Sequence, residues 1–143
     1  MFGVWCSEIR VSPSEVIMGF VRFQEMEVYQ LAEELEDAIW GIVGNWNALA
    51  RDTVGKQLIW AADSIGANIA EGSGRGSAGD TRRFLRIARG SLMETQHWLR
   101  RAFRRKLLTP DQTMTLQASI DKLPLKLNAL LKSIGKNSPP TGN

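Results

Sequence analysis

The sequence has almost none of the residues that form covalent cross-links or metal centres. Its 143 residues include one cysteine, Cys6, and one histidine, His97. A lone cysteine excludes an internal disulfide, and this pair excludes the Cys/His clusters that bind structural zinc. We therefore expect no metal and no cofactor. The fold should be stabilised by an apolar core, for which a chain of this length is sufficient.

Long apolar runs are also absent. No stretch approaches the roughly 20 apolar residues that a membrane-spanning helix needs. The first six residues contain no basic side chain, and Glu8 and Arg10 interrupt the apolar run that a secretory signal requires. We therefore expect a single-domain protein of the cytoplasm that does not insert into membranes.

One long stretch of the sequence lacks basic residues, and another contains few acidic residues. Residues 23–50 contain six acidic residues and no lysine or arginine, whereas residues 80–108 contain nine basic residues and two acidic ones. The net charge of the whole chain is only +3, so the charges are segregated along the sequence. Such asymmetry indicates more about partners than the total charge does.

Apolar side chains recur at alternating steps of three and four residues in four segments, which is the pattern of one buried face of an α-helix. In the third segment this face consists of Leu85, Ala88, Leu92, Thr95, Leu99 and Ala102. No segment shows the period of two that predicts a strand. Four such helices with short connections predict an all-α, up-down four-helix bundle over residues 23–134.

The helix ends are expected at residues that cap or interrupt helices. The first helix should span about residues 23–43 and end at Gly44-Asn45, because both residues tolerate the left-handed conformation. Asp52 or Thr53 should cap the second helix, which should end near residue 70. The glycines at 72, 74, 76 and 79 should then interrupt the helical chain.

The third and fourth helices follow the glycine-rich stretch. The third should span about residues 80–107. Thr109-Pro110 supplies an N-cap followed by proline at its favoured position, which predicts the start of the fourth helix. Pro124 should kink that helix, and Gly135 should end it. Residues 135–143 should form a disordered tail.

The first 22 residues support two interpretations. Ser12-Pro13-Ser14-Glu15 has the form of a capping box with proline at the first helical position, which predicts a helix. Alternatively, Met18 is the true start and the residues before it over-extend the gene. The sequence leaves both open.

Two patterns resemble catalytic or cofactor sites, but neither has the geometry that the chemistry requires. Residues 74–79 match the dinucleotide fingerprint, which works only after a strand, and here a helix precedes it. Ser91, Glu94 and His97 are spaced by three residues, yet on a helix they diverge too far for a nucleophile to reach its base. We therefore expect no catalytic residue and no enzyme activity.

The junction between the second and third helices contains polar residues that need partners. Asn68 lies on the inner face of its helix, so its amide should be hydrogen-bonded to the loop or to a neighbouring helix. Glu71 should pair with Arg75 and stabilise the turn. Free backbone N–H groups at the start of the third helix, with Arg75 nearby, could hold a phosphate; the alternative is a flexible connector. Ser91 should permit close approach of two helices.

The clearest functional signal is a one-sided arc of arginines on the third helix. At 100° per residue it lies opposite the apolar face, and its members are Arg82, Arg83, Arg86, Arg89, Arg100, Arg101, Arg104 and Arg105. The helix is about 40 Å long at 1.5 Å per residue, which is enough to contact several phosphates. Guanidinium groups suit bidentate phosphate contacts. We expect sequence-tolerant binding to RNA or DNA phosphates.

The arginine arc also has alternative interpretations. It could be a solvated helix face, or one neutralised by the acidic first helix of this or another subunit. Binding to a membrane surface is disfavoured, because the apolar face of the helix is needed by the bundle.

Some large apolar side chains fall outside the predicted core. Trp60 and Ile59 lie off the apolar face of the second helix, and Trp98 borders that of the third. Exposed side chains of this size favour a subunit interface over loose burial at the bundle edge. We therefore expect a homo-oligomer.

Two groups of residues follow the pattern of a known family. In the second helix and the junction they are Gln57, Ala61-Ala62, Ser64-Ile65, Asn68-Ile69-Ala70-Glu71-Gly72 and Gly74-Arg75. In the third helix they are Arg83-Phe84-Leu85, Ile87-Ala88, Gly90-Ser91-Leu92 and Glu94. Over residues 23–134 the chain resembles the four-helix bundle proteins encoded by intervening sequences in bacterial large-subunit ribosomal RNA genes. It is more distantly similar to the accessory protein of diversity-generating retroelements.

The resemblance implies a four-helix subunit of a ring-like homopentamer with no known enzymatic activity. The retroelement accessory protein binds nucleic acid and a reverse transcriptase, so a protein partner is the alternative expectation. The shared motif implies structural roles for Asn68, Glu71, Gly72, Gly90, Ser91 and Glu94. The chain departs from the family where arginine is usual after Gln57, because it has Ile59-Trp60. It also departs where Pro and Glu usually precede the second helix, around Trp46-Asn47 and Asp52. The nucleic-acid expectation therefore rests on the third helix.

Overall fold

A computed structural model describes residues 23–136, and the expectations for residues 1–22 and for the tail after Lys136 lie outside this range. Within it the chain forms four long helices and no strand. These are α1 (Glu27–Gly44), α2 (Lys56–Ser73), α3 (Ala78–Arg104) and α4 (Pro110–Lys136). A 3-10 turn, Phe23–Glu25, precedes α1. The predicted all-α four-helix bundle is confirmed.

The helices form a four-cornered bundle around one core. α1 packs against α2 and α4, and α3 packs against the same two helices. α1 and α3 therefore occupy opposite corners. All six residues predicted for the apolar face of α3 are buried, which confirms the period read from the sequence. Burial of such faces is the main source of stability in a bundle of this kind.

The predicted start of the second helix is wrong. Neither Asp52 nor Thr53 caps it; instead the side-chain oxygen of Asn47 accepts a hydrogen bond from the Ala50 N–H at 3.0 Å. A helical turn, Ala48–Ala50, and a π-helical turn, Arg51–Gly55, then lead into α2 without a break. At the preceding helix end, Gly44 ends α1 as predicted, but Asn45 has φ −94° and is not left-handed.

The glycine-rich interruption is shorter than predicted. Gly72 lies inside α2 and Gly79 inside α3. An alanine Cβ at Gly72 would lie 3.1 Å from the Phe84 Cβ and 3.3 Å from the Thr81 carbonyl oxygen, so glycine allows α2 and α3 to approach closely there. This packing offsets the helix penalty of glycine, which is about 1 kcal/mol. Ser77 caps α3, because its hydroxyl accepts from the Asp80 N–H at 3.1 Å.

The third helix ends three residues earlier than predicted. Lys106 has φ 60°. The Lys106 N–H donates to the Phe103 carbonyl and the Leu107 N–H donates to the Ala102 carbonyl, at 3.1 and 2.9 Å. This is the Schellman ending of a helix, in which glycine is usual at the left-handed position. Lysine occupies the left-handed position here, so no glycine in the sequence marks this helix end.

The start of the fourth helix is confirmed. The Thr109 hydroxyl accepts from the Gln112 N–H at 3.1 Å, and the Gln112 side chain accepts from the Thr109 N–H at 3.0 Å. This reciprocal pair is a capping box. The predicted end at Gly135 is wrong, because the helix continues to Lys136. Pro124 lies within α4, and a kink there stays a prediction.

The π-helical turn brings Gly55 against α1. An alanine Cβ at this position would lie 2.5 Å from the Val43 Cγ1 atom and 3.3 Å from the Ala50 carbonyl oxygen. Valine is restricted at χ1 and cannot swing aside easily. The contact between the turn and α1 therefore requires glycine.

Replacing Gly55 by alanine should lower the free energy of unfolding by about 1–3 kcal/mol through overpacking. The matched control is Gly90→Ala in α3, where no atom lies within 4 Å of the added Cβ. It should raise the free energy of unfolding by up to about 1 kcal/mol through helix propensity. Urea denaturation measures both, and equal effects of the two substitutions would contradict this account of the turn.

Candidate nucleic-acid interface on the third helix

The eight predicted arginines lie on the side of α3 that faces away from the core, and they are named here the arginine stripe. Their positions follow from the burial of the opposite face. None of the eight is buried. Arg82 and Arg101 are half-buried and the other six are exposed, with Arg105 capping the helix end. The arginines therefore lie on the side of α3 opposite its buried face, as helical periodicity predicts.

Four exposed members of the stripe have side chains without a partner within residues 23–136. The side chains of Arg86, Arg100, Arg104 and Arg105 form no ion pair or hydrogen bond with any residue of that range. An exposed, unpaired guanidinium keeps all five N–H donors available for an external anion. These four side chains are the ones best placed to bind phosphate.

Two of the other members of the stripe have internal contacts. The Arg83 Nε atom lies 3.8 Å from the Asp80 Oδ1 atom, and Arg89 donates to the Asn128 Oδ1 atom at 3.3 Å. The Nε atoms of Arg82 and Arg101 are buried without a hydrogen-bond partner in the described residues. The stripe thus contains four exposed, unpaired side chains, two paired side chains and two with a buried Nε atom. Helical periodicity alone cannot distinguish these groups.

Arg75 is held by the junction itself. Its guanidinium pairs with the Glu71 carboxylate, as predicted from the sequence. The guanidinium carbons of Arg75 and Arg83 also lie 4.6 and 4.7 Å from the centroid of the Phe84 ring. Asp80 places a negative charge in the first turn of α3, where a phosphate would have to bind. These contacts favour a structural role for the junction over a phosphate site.

Asn68 and Ser91 belong to a polar contact between α2 and α3. The Asn68 amide donates to the Ser64 carbonyl and hydroxyl at 2.7 and 3.0 Å. The hydroxyls of Ser64 and Ser91 are 2.9 Å apart. Asn68 was expected to be buried and is half-buried. Its partner is on its own helix and not in the loop or on a neighbouring helix. The small side chain of Ser91 does meet α2 closely.

The remaining motif residues on α3 face outward. Glu94 accepts from the Trp98 Nε1 atom at 3.3 Å, and His97 lies edge-to-face against Trp98. Gly90 is exposed, with open space around an added Cβ. Ser91 is bonded to Ser64 and not to His97. No packing within residues 23–136 explains the glycine at position 90.

A half-buried carboxyl group between α1 and α2 was missed by sequence reasoning. The Glu36 Oε1 atom accepts from the Gly66 N–H at 2.8 Å. An alanine Cβ at 66 would lie 2.5 Å from the same oxygen, so glycine gives the carboxyl access to the helix backbone. The only sequence signal was a glycine on the inner side of α2. Asp63 lies close enough to influence this carboxyl.

The pKa of Glu36 is raised to about 8, first by burial and then by the charges of Asp63, Glu33 and Asp37, against the lowering effect of the Gly66 hydrogen bond. Partial burial, and then the charge of Asp37, also raise the pKa of Asp63. These acidic residues form a surface along the edge between α1 and α2, called here the α1/α2 edge. The Glu36 carboxyl on this surface keeps its proton near neutral pH.

The free energy of unfolding should fall as pH rises from about 4.5 to about 8. Glu36 keeps its proton in the folded state over this range and loses it in the unfolded state, where its pKa is near 4.5. Glu36→Gln should remove this contribution. At pH 9 the variant should be more stable than wild type by on the order of 1–2 kcal/mol, discounted for solvent access to the carboxyl.

Urea denaturation at pH 5, 7 and 9 provides the test. Glu34→Gln, a neutralisation at an exposed position of the same helix, is the control and should keep the wild-type dependence on pH. If the free energies of unfolding of Glu36→Gln and wild type differed by the same amount at all three pH values, the raised pKa of Glu36 would be contradicted.

Two tryptophans are exposed beside this acidic surface. Trp40 and Trp60 are 67% and 58% exposed and line a hollow of about 410 Å³. The Lys56 Nζ atom lies 4.9 Å from the centroid of the Trp60 ring. Trp60 therefore lies outside the core, as predicted, whereas Trp98 is half-buried and packs against it.

Membrane-spanning helices and metal-binding clusters are both absent from residues 23–136. No helix in this range is both long enough and apolar enough to cross a membrane. Within the same range, no three His, Cys, Asp or Glu side chains come together in an arrangement suited to a metal ion.

The chain is similar to a known protein family and to a solved structure. A family model described as 23S rRNA-intervening sequence protein matches residues 24–129. The fold is similar to the crystal structure of a protein of unknown function from the S23 ribosomal protein family of Bacteroides thetaiotaomicron, with 25% sequence identity and a TM-score of 0.68. That match covers 73% of this chain and 98% of the other. No curated protein matches the chain.

Proposed function

Because the chain belongs to the 23S rRNA-intervening sequence protein family, we propose that it is a non-catalytic, homo-oligomeric protein that binds the phosphates of RNA or DNA through the arginine stripe. The observation that carries this proposal is the set of four exposed arginines without internal partners. A purely structural basic face would be expected to pair its charges within the bundle.

The spacing of the free arginines suits an extended polyanion. Arg86 and Arg104 are five helical turns apart on the same side of α3, which is about 27 Å along the axis. Duplex DNA carries one negative charge per roughly 1.7 Å, so a strand lying along α3 offers phosphates to both. Such contacts orient a nucleic acid but do not select its sequence. Arg100 and Arg105 add two more contacts.

Assembly into a ring-like homopentamer is the second part of the proposal. It is supported by the resemblance described above and by the exposure of Trp40 and Trp60. Exposed aromatic side chains of this size are typical of subunit contacts. A ring would also repeat the arginine stripe, and repeated weak phosphate contacts combine into tighter binding.

The alternative function is a protein-interaction scaffold, or an accessory subunit for a nucleic-acid enzyme such as a reverse transcriptase. Its support is the segregation of an acidic α1/α2 edge from a basic α3 face, which could recruit a partner of opposite charge. A gene neighbourhood containing a reverse transcriptase would favour it. An isolated gene within a ribosomal RNA operon would favour the first proposal.

Neutralising two free arginines should weaken nucleic-acid binding and its dependence on salt. The variant is Arg86→Gln with Arg104→Gln, measured by fluorescence anisotropy on labelled RNA and DNA between about 50 and 300 mM salt. The slope of log K against log salt should become shallower by about two, close to one per arginine. Affinity at the lowest salt should fall at least ~10-fold.

The matched control removes the same charge elsewhere. Lys122→Gln with Lys132→Gln neutralises two exposed lysines of α4, outside the stripe. It should leave the slope close to that of wild type. Equal losses in the two double variants would mean that binding follows net charge and not the stripe, and the proposal would fail.

A further inference from the structure

A groove between α3 and α4 opens beside the arginine stripe, at the end of the bundle where α3 ends and α4 begins. Its volume is about 510 Å³, within the range of about 300–1,000 Å³ that is usual for small-ligand sites. We call it the α3/α4 groove. Its apolar walls include Leu99, Phe103, Leu116 and Ile120.

Phe103 forms the side of this groove that is next to the stripe. The residue is 57% exposed, so its ring is available to a ligand. At about 100° per residue, it falls between the buried Leu99 and the exposed Arg100 around the helix axis. Arg100 itself lines the groove, and Arg104 follows Phe103 directly in the chain. The groove is therefore continuous with two of the unpaired arginines.

The polar lining of the groove suits the edge of a nucleobase better than a phosphate. Gln117 and Asp121 lie on the α4 wall, where the Gln117 Nε2 atom donates to the Asp121 Oδ1 atom at 2.8 Å. Gln96, on the α3 wall, forms no side-chain hydrogen bond within residues 23–136. A carboxylate repels a phosphate but accepts hydrogen bonds from the amino groups of bases, and an amide can both donate to and accept from base edges.

We propose that the α3/α4 groove receives one unpaired base of a single-stranded nucleic acid whose phosphates lie on the arginine stripe, with the base stacked on Phe103. This inference rests on the proposed function and adds a base contact to its phosphate contacts. The occupant is a nucleic acid because a polyanion bound at Arg100 and Arg104 brings its bases to the groove. Basic side chains beside an exposed aromatic ring are the arrangement by which proteins bind single strands.

A duplex cannot use the groove in this way. Its bases are stacked on one another and paired, so a base would have to be extruded before it could reach Phe103, and extrusion costs free energy. The phosphates of a duplex remain accessible to the arginines. The groove should therefore contribute to the binding of single strands and not of duplexes, whereas the stripe contributes to both.

Replacing Phe103 by alanine tests the base contact. Binding is measured by fluorescence anisotropy on a labelled single-stranded RNA of mixed sequence, and on the same RNA annealed to its complement. Affinity for the single strand should fall at least ~5-fold, because one base–aromatic stack is lost. Affinity for the duplex should not change. The slope of log K against log salt should also stay as in wild type, since no phosphate contact is removed.

Three control variants accompany it. Ile87→Ala removes an exposed apolar side chain of α3 that does not line the groove, and it should leave both affinities unchanged. Phe103→Tyr keeps the ring and should keep the affinity for the single strand. Phe103→Leu keeps apolar surface without a ring and should behave as Phe103→Ala does, which provides a second variant if the alanine protein does not fold by circular dichroism.

A single strand without bases gives an independent test. Wild type should bind a DNA strand of abasic sites at least ~5-fold more weakly than the intact strand of the same length. The loss caused by removing the bases and the loss caused by Phe103→Ala should not add, because both remove the same contact. Fully additive losses would overturn the inference.

The other outcomes separate this inference from the function on which it rests. Equal effects of Phe103→Ala on single strand and duplex, or a shallower salt slope, would overturn the inference and leave the phosphate contacts, which Arg86→Gln with Arg104→Gln tests. A smaller mass of Phe103→Ala than of wild type in light scattering would show that a second copy covers the groove, and would also overturn it. Absence of binding of wild type to either RNA would remove the proposed function and this inference together.

Discussion

The buried face of α3 is the constraint on which the rest of the molecule depends. Its six apolar or small residues pack against α2 and α4. Because the helix repeats every 3.6 residues, burying that face turns the arginines toward solvent on the other. At the contact between α2 and α3, Gly72 leaves room for Phe84, and the Ser91 hydroxyl meets that of Ser64. Core and candidate interface are therefore two consequences of one periodic pattern.

Features that depend on neighbouring residues could be predicted from the sequence. The apolar face of α3, the Thr109 N-cap and the Glu71–Arg75 pair each arise within one helix or one turn. The pattern of apolar steps carries enough information to define which side of α3 is buried, and hence where the arginines lie. The sequence therefore predicts most of the fold and the position of the arginine stripe on it.

Features that depend on distant contacts could not be predicted. The π-helical turn extends the helical chain upstream of α2 and places Gly55 against Val43, a contact across two elements. Lys106 adopts a left-handed conformation where glycine is usual. The hydrogen bond of the Glu36 carboxyl comes from the Gly66 N–H, thirty residues away. The distinction between free and committed arginines likewise requires Asn128 on another helix.

Charge is segregated on the surface of the bundle. The acidic α1/α2 edge and the basic face of α3 lie on different corners of the bundle, so neither neutralises the other within one chain. The arginine stripe therefore keeps its charge for an external polyanion.

The most direct test of the central claim is a salt titration of RNA and DNA binding by the wild-type protein, with its mass recorded in parallel by light scattering. With four free arginines, the account predicts that log K falls linearly with log salt with a slope of about −2 to −4, because each phosphate contact releases counterions. Absence of binding at low salt, or binding that does not change with salt, would contradict a phosphate-binding role for the stripe.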